Sequence, residues 1–493
     1  MRNAIQINPA DNVAVALSPL ERGDHTVGLV SEIVVAEVIP QGHKIALSPI
    51  ASGEPVIKYG SPIGWATQPI AAGCHIHTQN LRTGLGDMLR YDYQPAVTPL
   101  SPLPSDTFQG FLRKDGRAGV RNDIWILPTV GCVNGIAEEL ARLASPHVHG
   151  SAGKVIAFPH PYGCSQMGED QDTTRIVLAD LALHPNAGGV LLLGLGCENS
   201  GIEQIKPYMG SFDESRIRFL VCQDCEDELE AGLALLRELI DHAAADSRAP
   251  ISTDKLIVGL KCGGSDGLSG ITANPAIGGF SDLLIAKGGS TILTEVPEMF
   301  GAETLLMARC ESRSLFEKTV DLINGFKQYY EDNHQPIYEN PSPGNKAGGI
   351  STLEDKALGC TQKSGTAPVR DVLSYGERVT TQGLNLLGSP GNDLVSATAL
   401  AAAGAQIVLF STGRGTPFAS PVPTVKISSN TAISRHKKGW VDFDAGRAVE
   451  GASISDISQE LYDFVLSIAS GKNAKHEDAN IHDMAIFKRG VTL

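Results

Sequence analysis

Long apolar runs and aromatic residues are both scarce in this sequence of 493 residues. Aromatic residues make up 5% of the chain, and no window reaches the roughly 18 apolar residues that a membrane span needs. The first residues also lack the continuous apolar stretch of a secretion signal, so we expect a cytoplasmic protein with no membrane partner. In that reducing compartment the nine cysteines predict free thiols, metal ligands or small buried residues rather than disulfides.

An excess of positive charge is missing as well. The formal net charge is -15, and no Lys/Arg-rich run offsets it, which argues against nucleic acid as a partner. The glycine-rich stretch "CGGSDGLSG" lacks both the Lys-Ser/Thr ending of a P-loop and the GxGxxG spacing of a dinucleotide fingerprint. A nucleotide cofactor is therefore disfavoured. A small anionic substrate stays possible, because a few cations focused into a cleft can dominate the local field.

The order of apolar segments predicts a multidomain α/β chain. Residues 1–94 contain short β-type runs such as "GLVSEIVVAEVI", which indicate a small all-β domain. The Pro-rich residues 95–108 indicate a semi-extended linker. Buried strand-like runs alternate with amphipathic helical segments in residues 109–248 and again in 253–493. This alternation is typical of largely parallel sheets covered by helices on both faces.

Two sets of possible metal ligands stand out. In "GCHIHTQN", His75 and His77 point to the same side of an extended strand and would form half of a metal site; the alternative is a surface strand that carries two histidines. Cys132, Cys164 and Cys197 each follow a glycine at the end of an apolar run. Because loops at the carboxyl ends of strands line the ligand crevice of α/β sheets, these thiols could converge. The alternative is that they are small buried residues.

Acidic and basic groups cluster later in the chain. Residues 340–365, "NPSPGNKAGGISTLEDKALGCTQKSG", show no apolar periodicity and indicate a long functional loop, or else a disordered surface loop. The segment "TEVPEMFGAE" supplies Glu295 and Glu298 as candidate acid/base groups, and Glu303, which we expect to be a solvated helix residue. Arg414 in "STGRGTP" lies at a strand end and suits a bidentate grip on a carboxylate.

Several of these motifs together resemble one known family. The segments "GVRNDIWILPTVGCVNGIA", "YGCSQMG", "GLGCEN", "CGGSDGLSGITANP", "TEVPEMFGAE" and "FSTGRGTP" are similar to the altronate and galactarate dehydratases, and the amino-terminal domain looks like the SAF-type, β-clip-like module of that family. The resemblance covers essentially the whole chain. It implies a hydro-lyase of bacterial hexuronate breakdown that removes water from D-altronate to give 2-dehydro-3-deoxy-D-gluconate. Galactarate or another sugar acid is the alternative substrate, and a non-catalytic sugar-acid-binding protein is the alternative function.

Dehydration of a sugar acid sets clear chemical requirements. Loss of the C2 proton beside a carboxylate creates an enediolate dianion, which needs a metal or several cations to stabilise it. A general base must take that proton while an acid assists loss of the C3 hydroxyl. Our candidates for the acid and the base are Lys363, Lys356, Glu354 and His160. For the substrate we expect contacts from Arg121, Asn134, Ser265, Asp266, Asn345, Lys346 and Arg414.

The resemblance also implies a divalent metal, Fe²⁺ in the first place, with Mn²⁺ or another ion as alternatives. We expect His75 and His77 to bind it together with Cys132 or Cys164, since thiolates and imidazoles favour iron or zinc over magnesium. An iron–sulfur cluster on the Gly-Cys loops is the other possibility. Beyond the sugar acid, we expect a second copy of the chain as partner, because homo-oligomers are common among soluble enzymes.

Overall fold

Short antiparallel strands build the first part of the chain in the structure, a computed structural model that describes residues 2–86 and 89–490. We call residues 2–86 the β-domain. Its strands are β1 Ala4–Ile5, β2 Val13–Ala16, β3 Lys44–Ala46, β4 Pro55–Lys58, β5 Ser61–Ala66, β6 His75–Ile76 and β7 Leu81–Arg82. They form two small sheets, in the orders β1-β2-β3-β6 and β4-β5-β7. The expected all-β domain is confirmed.

A parallel sheet with helices on both faces forms the next part, which we call the middle domain (residues 107–252). Its elements are β8 Thr107–Leu112, β9 Ala118–Gly119, β10 Asp123–Pro128, α1 Asn134–Ala144, β11 Val155–Ala157, α2 Glu169–Ala182, β12 Ala187–Gly194, α3 Ile202–Met209, β13 Ile217–Val221, α4 Glu228–Ala244 and β14 Ala249–Ser252. The parallel sheet has the order β11-β10-β12-β13, and a small antiparallel sheet has the order β14-β8-β9.

A larger parallel sheet organises the carboxyl-terminal domain (residues 253–490). Its elements are β15 Ile257–Cys262, α5 Ala273–Ala286, β16 Ser290–Leu293, α6 Glu303–Met307, α7 Arg313–Asp332, α8 Pro343–Ala347, α9 Leu353–Cys360, β17 Val369–Leu373, β18 Leu384–Leu387, α10 Asp393–Ala402, β19 Ile407–Thr412, β20 Thr424–Ser428, α11 Thr431–His436, β21 Phe443–Asp444, α12 Ile454–Ala469 and α13 Lys475–Asp478. The strand order is β17-β18-β16-β15-β19-β20-β21, with each neighbouring pair parallel. The predicted α/β class is confirmed.

Helices pack on both faces of this sheet, so its central strands are buried on both sides and their sequences are continuously apolar. Within the described ranges, no helix is both long enough and apolar enough to cross a membrane.

The Pro-rich segment is docked along the carboxyl-terminal domain. The Ala96 N–H donates to the Ala308 carbonyl at 2.7 Å, and the Leu103 N–H donates to the Ala286 carbonyl at 2.7 Å. Strand β8 begins at Thr107, inside the range expected to be linker. The chain thus leaves the β-domain, follows the carboxyl-terminal domain and only then enters the middle domain.

Residues 340–365 are mainly helical, and the expectation of a long loop is wrong. Two short helices, α8 and α9, occupy much of the segment, and α9 is buried along its length. Ser342 caps α8 by accepting from the Asn345 N–H, and Thr352 caps α9 by accepting from the Asp355 N–H. The segment shows no apolar periodicity because its polar residues are helix caps and buried charged groups. A search for apolar periodicity does not detect helices of this kind.

Candidate active site at the edge of the carboxyl-terminal sheet

The carboxyl ends of β15 and β16 bring reactive side chains together. Strand β15 ends at Cys262, while Glu295 and Glu298 follow β16. Because these strands are parallel neighbours, the residues after them share one edge of the sheet. Glu295 has a φ of 66°, a left-handed conformation that is uncommon outside glycine and is concentrated at functional sites. Its Oε2 accepts from the Cys262 N–H at 2.9 Å, which holds the turn in place.

Cys262, Glu298 and Cys360 converge at this edge. The Cys262 Sγ lies 3.0 Å from Glu298 Oε2 and 3.4 Å from the Sγ of Cys360, which is the last residue of α9. Among residues 2–86 and 89–490, no other three His, Cys, Asp or Glu side chains place their ligand atoms all within 4.8 Å of one another. All three are buried. Two sulfur donors and a carboxylate suit iron or zinc better than magnesium, so the group could hold such an ion.

Buried lysines surround these groups. Lys356 Nζ lies 2.7 Å from Glu298 Oε1, Lys261 Nζ lies 2.9 Å from Glu295 Oε1, and Lys363 Nζ lies 3.7 Å from Glu295 Oε2. Burial alone would raise the pKa of Glu298, but the charges of Lys356 and Lys363 lower it to about 2. Burial, together with the charge of Glu298, raises the pKa of Glu295. Two neighbouring carboxyl groups with opposed pKa shifts are typical of an acid/base site.

Polar residues predicted to bind substrate lie beside the lysines. The Asn345 side chain donates to the Ser265 carbonyl at 2.8 Å and accepts from Lys356 Nζ at 3.3 Å. The Ser265 hydroxyl is buried, and within the described part of the chain no group hydrogen-bonds to it. Leaving a buried hydroxyl unpaired costs about 1–3 kcal/mol, so this oxygen suits a ligand. Arg414 donates to the Gly344 carbonyl at 3.3 Å and stays exposed.

Asp266 and Lys346 were also expected to bind substrate. The Asp266 carboxylate accepts from the side chains of Ser269 and Ser429 at 2.8 Å and of Asn430 at 3.0 Å. These contacts tie the loop after β15 to the loop after β20. Lys346 is a half-buried residue of α8.

Three histidines of the β-domain meet next to α9. His43 Nδ1 lies 3.0 Å from His75 Nε2, the ring centres of His43 and His77 are 4.8 Å apart, and His77 Nδ1 lies 2.8 Å from the Ser351 hydroxyl. Burial is the main cause that lowers the pKa of both His75 and His77 to about 4. They are therefore neutral at pH 7, the form that binds metals. Sequence reasoning missed His43, because the pairing of β3 with β6 that brings it here joins segments thirty residues apart.

The β-domain is fixed to α9 by a buried charge cluster that sequence reasoning also missed. Lys44 Nζ lies 2.8 Å from Asp355 Oδ2, and Lys58 Nζ lies 2.9 Å from Asp355 Oδ1. Lys44 also donates to the Gly349 carbonyl at 2.8 Å. Burial lowers the pKa of Lys44 to about 8 even though Asp355 acts in the opposite direction. Two cations thus share one carboxylate at the boundary between the two domains.

Glu354 and His160, both predicted acid/base groups, lie in other surroundings. Glu354 is buried and accepts from the Gly84 N–H at 2.7 Å and the Thr83 hydroxyl at 2.9 Å, so it ties the end of the β-domain to α9. His160 is buried in the middle domain. One of its ring nitrogens lies 2.7 Å from a backbone carbonyl, and the other accepts from a backbone N–H at 3.2 Å. Both ring nitrogens are therefore committed to the local backbone.

Arg121 and Asn134, both expected to contact substrate, bond within the protein. The Arg121 guanidinium grips Glu477 with Nε–Oε1 at 2.6 Å and Nη2–Oε2 at 2.8 Å, a bidentate pair that joins the middle domain to α13. Asn134 begins α1 and donates to the His160 carbonyl at 2.9 Å.

The thiols of Cys132, Cys164 and Cys197 are exposed at the carboxyl edge of the middle sheet. The Cys164 thiol donates to the Asn199 side chain at 3.3 Å, and the Cys197 sulfur accepts from the Gln223 side chain at 3.7 Å. Within the described ranges, neither Cys132 nor Cys164 has its sulfur within 4.8 Å of the ring nitrogens of both His75 and His77 in a group whose ligand atoms all lie that close together. The structure therefore brings the two histidines together without either cysteine.

Glu303 is not solvated, and that expectation is wrong. The residue is 2% exposed. Its carboxylate accepts from the Tyr91 hydroxyl at 2.6 Å and lies 3.3 Å from Lys327 Nζ. A residue that follows the β-domain thus covers the start of α6, a contact that the local sequence around Glu303 does not reveal.

Thiols, carboxyl groups and lysines lie together at the carboxyl ends of parallel strands in this α/β protein. This arrangement is typical of an enzyme that acts on a small anionic substrate. Comparison with known proteins gives the family. Three family models match consecutive parts of the chain: the altronate/galactarate dehydratase SAF domain over residues 2–84, the second domain of D-galactarate dehydratase/altronate hydrolase over 110–244, and the carboxyl-terminal domain of D-galactarate/altronate dehydratase over 253–492. The chain belongs to the D-galactarate/altronate dehydratase family, as its motifs predicted.

Similar curated proteins cover the whole chain. It is 51% identical to the altronate dehydratase of Bacillus subtilis (strain 168) over 100% of both chains. It is also 51% identical to the altronate dehydratase of Escherichia coli (strain K12) over 99% of both. Identity to the galactarate dehydratase (L-threo-forming) of Escherichia coli is 30%, over 98% of this chain and 96% of that one.

Proposed function

We propose that this protein removes water from D-altronate to give 2-dehydro-3-deoxy-D-gluconate. The observation that carries the proposal is the buried group of Cys262, Glu298 and Cys360 with Lys356 and Lys363 beside it. Such a group supplies both metal ligands and cations for a carboxylate substrate. The higher identity to altronate dehydratases than to the galactarate enzyme favours altronate over galactarate.

We propose distinct roles for the charged groups. Burial lowers the pKa values of Lys363 and Lys356, but their neighbours raise them by more: Cys262 and Cys360 ahead of the carboxylates for Lys363, and Glu298 first for Lys356. Both lysines are therefore ammonium ions at neutral pH. They bind the substrate carboxylate and stabilise the charge that develops on it. Glu295 takes the C2 proton, because its raised pKa makes it a stronger base once ionised than Glu298 with a pKa of about 2.

The donor set fits the divalent metal that the family resemblance implied. Cys262, Glu298 and Cys360 would hold Fe²⁺, which when bound supplies positive charge to the enediolate oxygens. The Cys262 contact and burial raise the pKa of the Cys360 thiol, so binding of a cation would have to displace its proton. His43, His75 and His77 form the second candidate set: their rings are neutral and His43 Nδ1 lies 3.0 Å from His75 Nε2, although the three do not bring their nitrogens all within 4.8 Å of one another.

Access to the site depends on the β-domain. The cavity between Lys58 of that domain and Ser265, Lys356 and Cys360 measures about 10 Å³, which is near the minimum for a single water molecule. A six-carbon acid does not fit. We therefore propose that the β-domain and the carboxyl-terminal domain separate to admit substrate and close again for the reaction.

An anaerobic assay of the purified protein tests the function. Formation of 2-keto acid is measured with D-altronate and with D-galactarate, each with and without added Fe²⁺. We expect iron-dependent turnover of D-altronate with a kcat/KM at least about a hundredfold above that for D-galactarate, since loss of a matched polar contact costs several kcal/mol. Absence of altronate turnover in the iron-loaded protein would contradict the proposal. Light scattering after size-exclusion chromatography tests the predicted homo-oligomer.

A further inference from the structure

A large cleft lies between the middle domain and the carboxyl-terminal domain. Its volume is about 1020 Å³, at the upper end of the range of about 300–1,000 Å³ for small-molecule pockets. Residues at the beginnings of strands line it, among them Arg216 directly before β13, Ile257 of β15, Ser290 of β16 and Gln406 directly before β19. The candidate active site lies at the carboxyl ends of β15 and β16. The cleft is therefore at the opposite edge of the sheet and is separate from that site.

Arg216 is a buried cation without a matching carboxylate. The residue is 9% exposed. Its Nη2 donates to the carbonyls of Ala187 and, at 3.1 Å, of His184. Within the described residues, its Nε has no hydrogen-bond partner and no carboxylate oxygen lies within 4.0 Å of the guanidinium. Burial, reinforced by the charge of Arg113, lowers the pKa of Arg216 to about 9. A buried charge of this kind is costly unless an anion pairs with it.

Two of the carboxylates that line the cleft are already committed to other cations. Arg117 Nη2 lies 2.6 Å from Asp115 Oδ2, and Lys114 Nζ lies 2.9 Å from Asp213 Oδ1. All four side chains line the cleft. The two carboxylates act on Arg216 only from beyond ion-pair distance. The cleft wall thus keeps one buried guanidinium for which the protein supplies no direct counter-ion.

The same cleft holds an acceptor without a donor. The Oδ1 of Asp254 is buried, and within the described ranges no group donates to it. Asp254 belongs to the carboxyl-terminal wall, whereas Arg216 belongs to the middle domain. Thr380 and Thr381 add hydroxyl groups to the lining. An unpaired donor and an unpaired acceptor in one cleft match a molecule that carries both an anionic group and hydroxyl groups.

We propose that this cleft binds a small hydroxylated organic anion, whose carboxylate or phosphate pairs with Arg216 and whose hydroxyl group donates to Asp254. The ligand contacts both domains and stabilises the interface between them. Sugar acids and sugar phosphates share this chemistry. Since the cleft lies away from Lys363 and Cys360, binding there does not require turnover.

Thermal shift of the full-length, metal-loaded protein tests the proposal. D-gluconate, D-glucose 6-phosphate and the uncharged polyol sorbitol are titrated at an ionic strength fixed with potassium chloride. We expect Tm to rise with the concentration of at least one anion, because a ligand of the native state stabilises it, and not with sorbitol. A rise with gluconate identifies a sugar acid as the ligand class, whereas a rise with the phosphate alone identifies a phosphate.

Variants assign the effect to the cleft. Arg216→Met is expected to weaken anion binding at least tenfold while kcat for the dehydration stays unchanged. The control Arg370→Met, at an exposed arginine paired with Glu311, is expected to bind anions like the wild type. Arg216→Lys, which keeps the charge, is expected to bind with intermediate affinity and replaces Arg216→Met if that variant does not fold. Asp254→Asn is expected to weaken gluconate binding.

Two results would overturn the proposal. One is a wild-type Tm that responds equally to chloride, gluconate and glucose 6-phosphate at the same ionic strength. The other is an anion-dependent rise in Tm that is as large in the folded Arg216 variants as in the wild type.

Discussion

Lys363 has the longest ionic contact of the buried lysines in the candidate active site, 3.7 Å to Glu295. Its ammonium is therefore the one least committed to the protein, and we expect it to bind the substrate carboxylate. We expect Lys363→Met to lower kcat/KM by about 10²–10³, the loss seen when one group that stabilises developing charge is removed. Steady-state kinetics with D-altronate measures this change.

The matched control for this variant is Lys327→Met, a buried lysine paired with Glu303 outside the site. It is expected to lower Tm and to leave kcat per folded molecule unchanged. Equal losses of kcat in the two variants would show that Lys363 acts through stability alone.

Cys360 allows the two candidate metal sites to be told apart. We expect Cys360→Ser to lower bound iron at least tenfold and to abolish the thiolate-to-metal absorption band of the cobalt-substituted protein, because a hydroxyl is a far poorer ligand for these ions than a thiolate. Metal analysis and absorption spectroscopy measure both effects. Cys310→Ser, at a buried thiol that contacts Thr319 instead, is the control. Loss of metal in His75→Ala and His77→Ala, with full occupancy in Cys360→Ser, would assign the metal to the histidines.

Single residues show how far sequence reasoning reaches. The alternation rule placed His75 and His77 on one side, and the structure brings their rings together. Residue type alone predicted the roles of His160 and Arg121. Imidazole and guanidinium groups suit catalysis. In this structure, however, the His160 ring bonds to the backbone and the Arg121 guanidinium bonds to Glu477. Such partners lie far away in the sequence, so no local pattern reports them.

At the scale of elements, Asp355 links α9 to β3 and to β4. Replacing it with asparagine leaves two buried ammonium ions without a counter-charge, and we expect Asp355→Asn to lower the free energy of unfolding by about 3–5 kcal/mol. Lys44→Met keeps the Lys58 pair and is expected to cost less. The midpoint of the first denaturant transition measures the effect, since a chain of several domains need not unfold in one step.

The control for the Asp355 variant is Glu460→Gln, which removes an exposed ion pair with Arg447. It is expected to change stability by no more than about 1 kcal/mol. If Asp355→Asn were no worse than this control, the buried cluster would not hold the two domains together.

Elements were predictable where one local rule governs them. Continuous apolar runs predicted the parallel strands, and the strand-end rule drew attention to Cys132, Cys164 and Cys197, which lie at the carboxyl edge of the middle sheet. Helices α8 and α9 were missed because their buried face is polar: Asn345, Asp355 and Lys356 find partners in distant segments of the chain. The residues of such a face are polar because they bond to distant segments of the chain. The local sequence of the helix therefore resembles that of a loop.

At the scale of the whole molecule, buried neutral histidines lower the stability of the native protein in acid. Burial lowers the pKa of His184 to about 3, of His476 to about 4 and of His482 to about 3. An unfolded histidine has a pKa of about 6.5. Between these values the unfolded chain binds protons at these histidines that the native protein does not, so their contribution to stability is full above about pH 6.5 and falls as the pH drops toward 4.

We therefore expect Tm to fall steadily between pH 6.5 and pH 4.5, as measured by calorimetry in buffers of equal ionic strength. His184→Gln is expected to reduce this slope. His436→Gln, at an exposed position, is expected to leave it as in the wild type. A slope that is the same in all three proteins would mean that buried histidines do not cause the acid sensitivity.

The tight closure of the β-domain over α9 also bears on the by-product of the reaction. Elimination converts the C3 hydroxyl into a free water molecule beside a cavity of about 10 Å³, which holds one such molecule at most. We expect this water to leave when the two domains part, in the same opening that releases the keto acid.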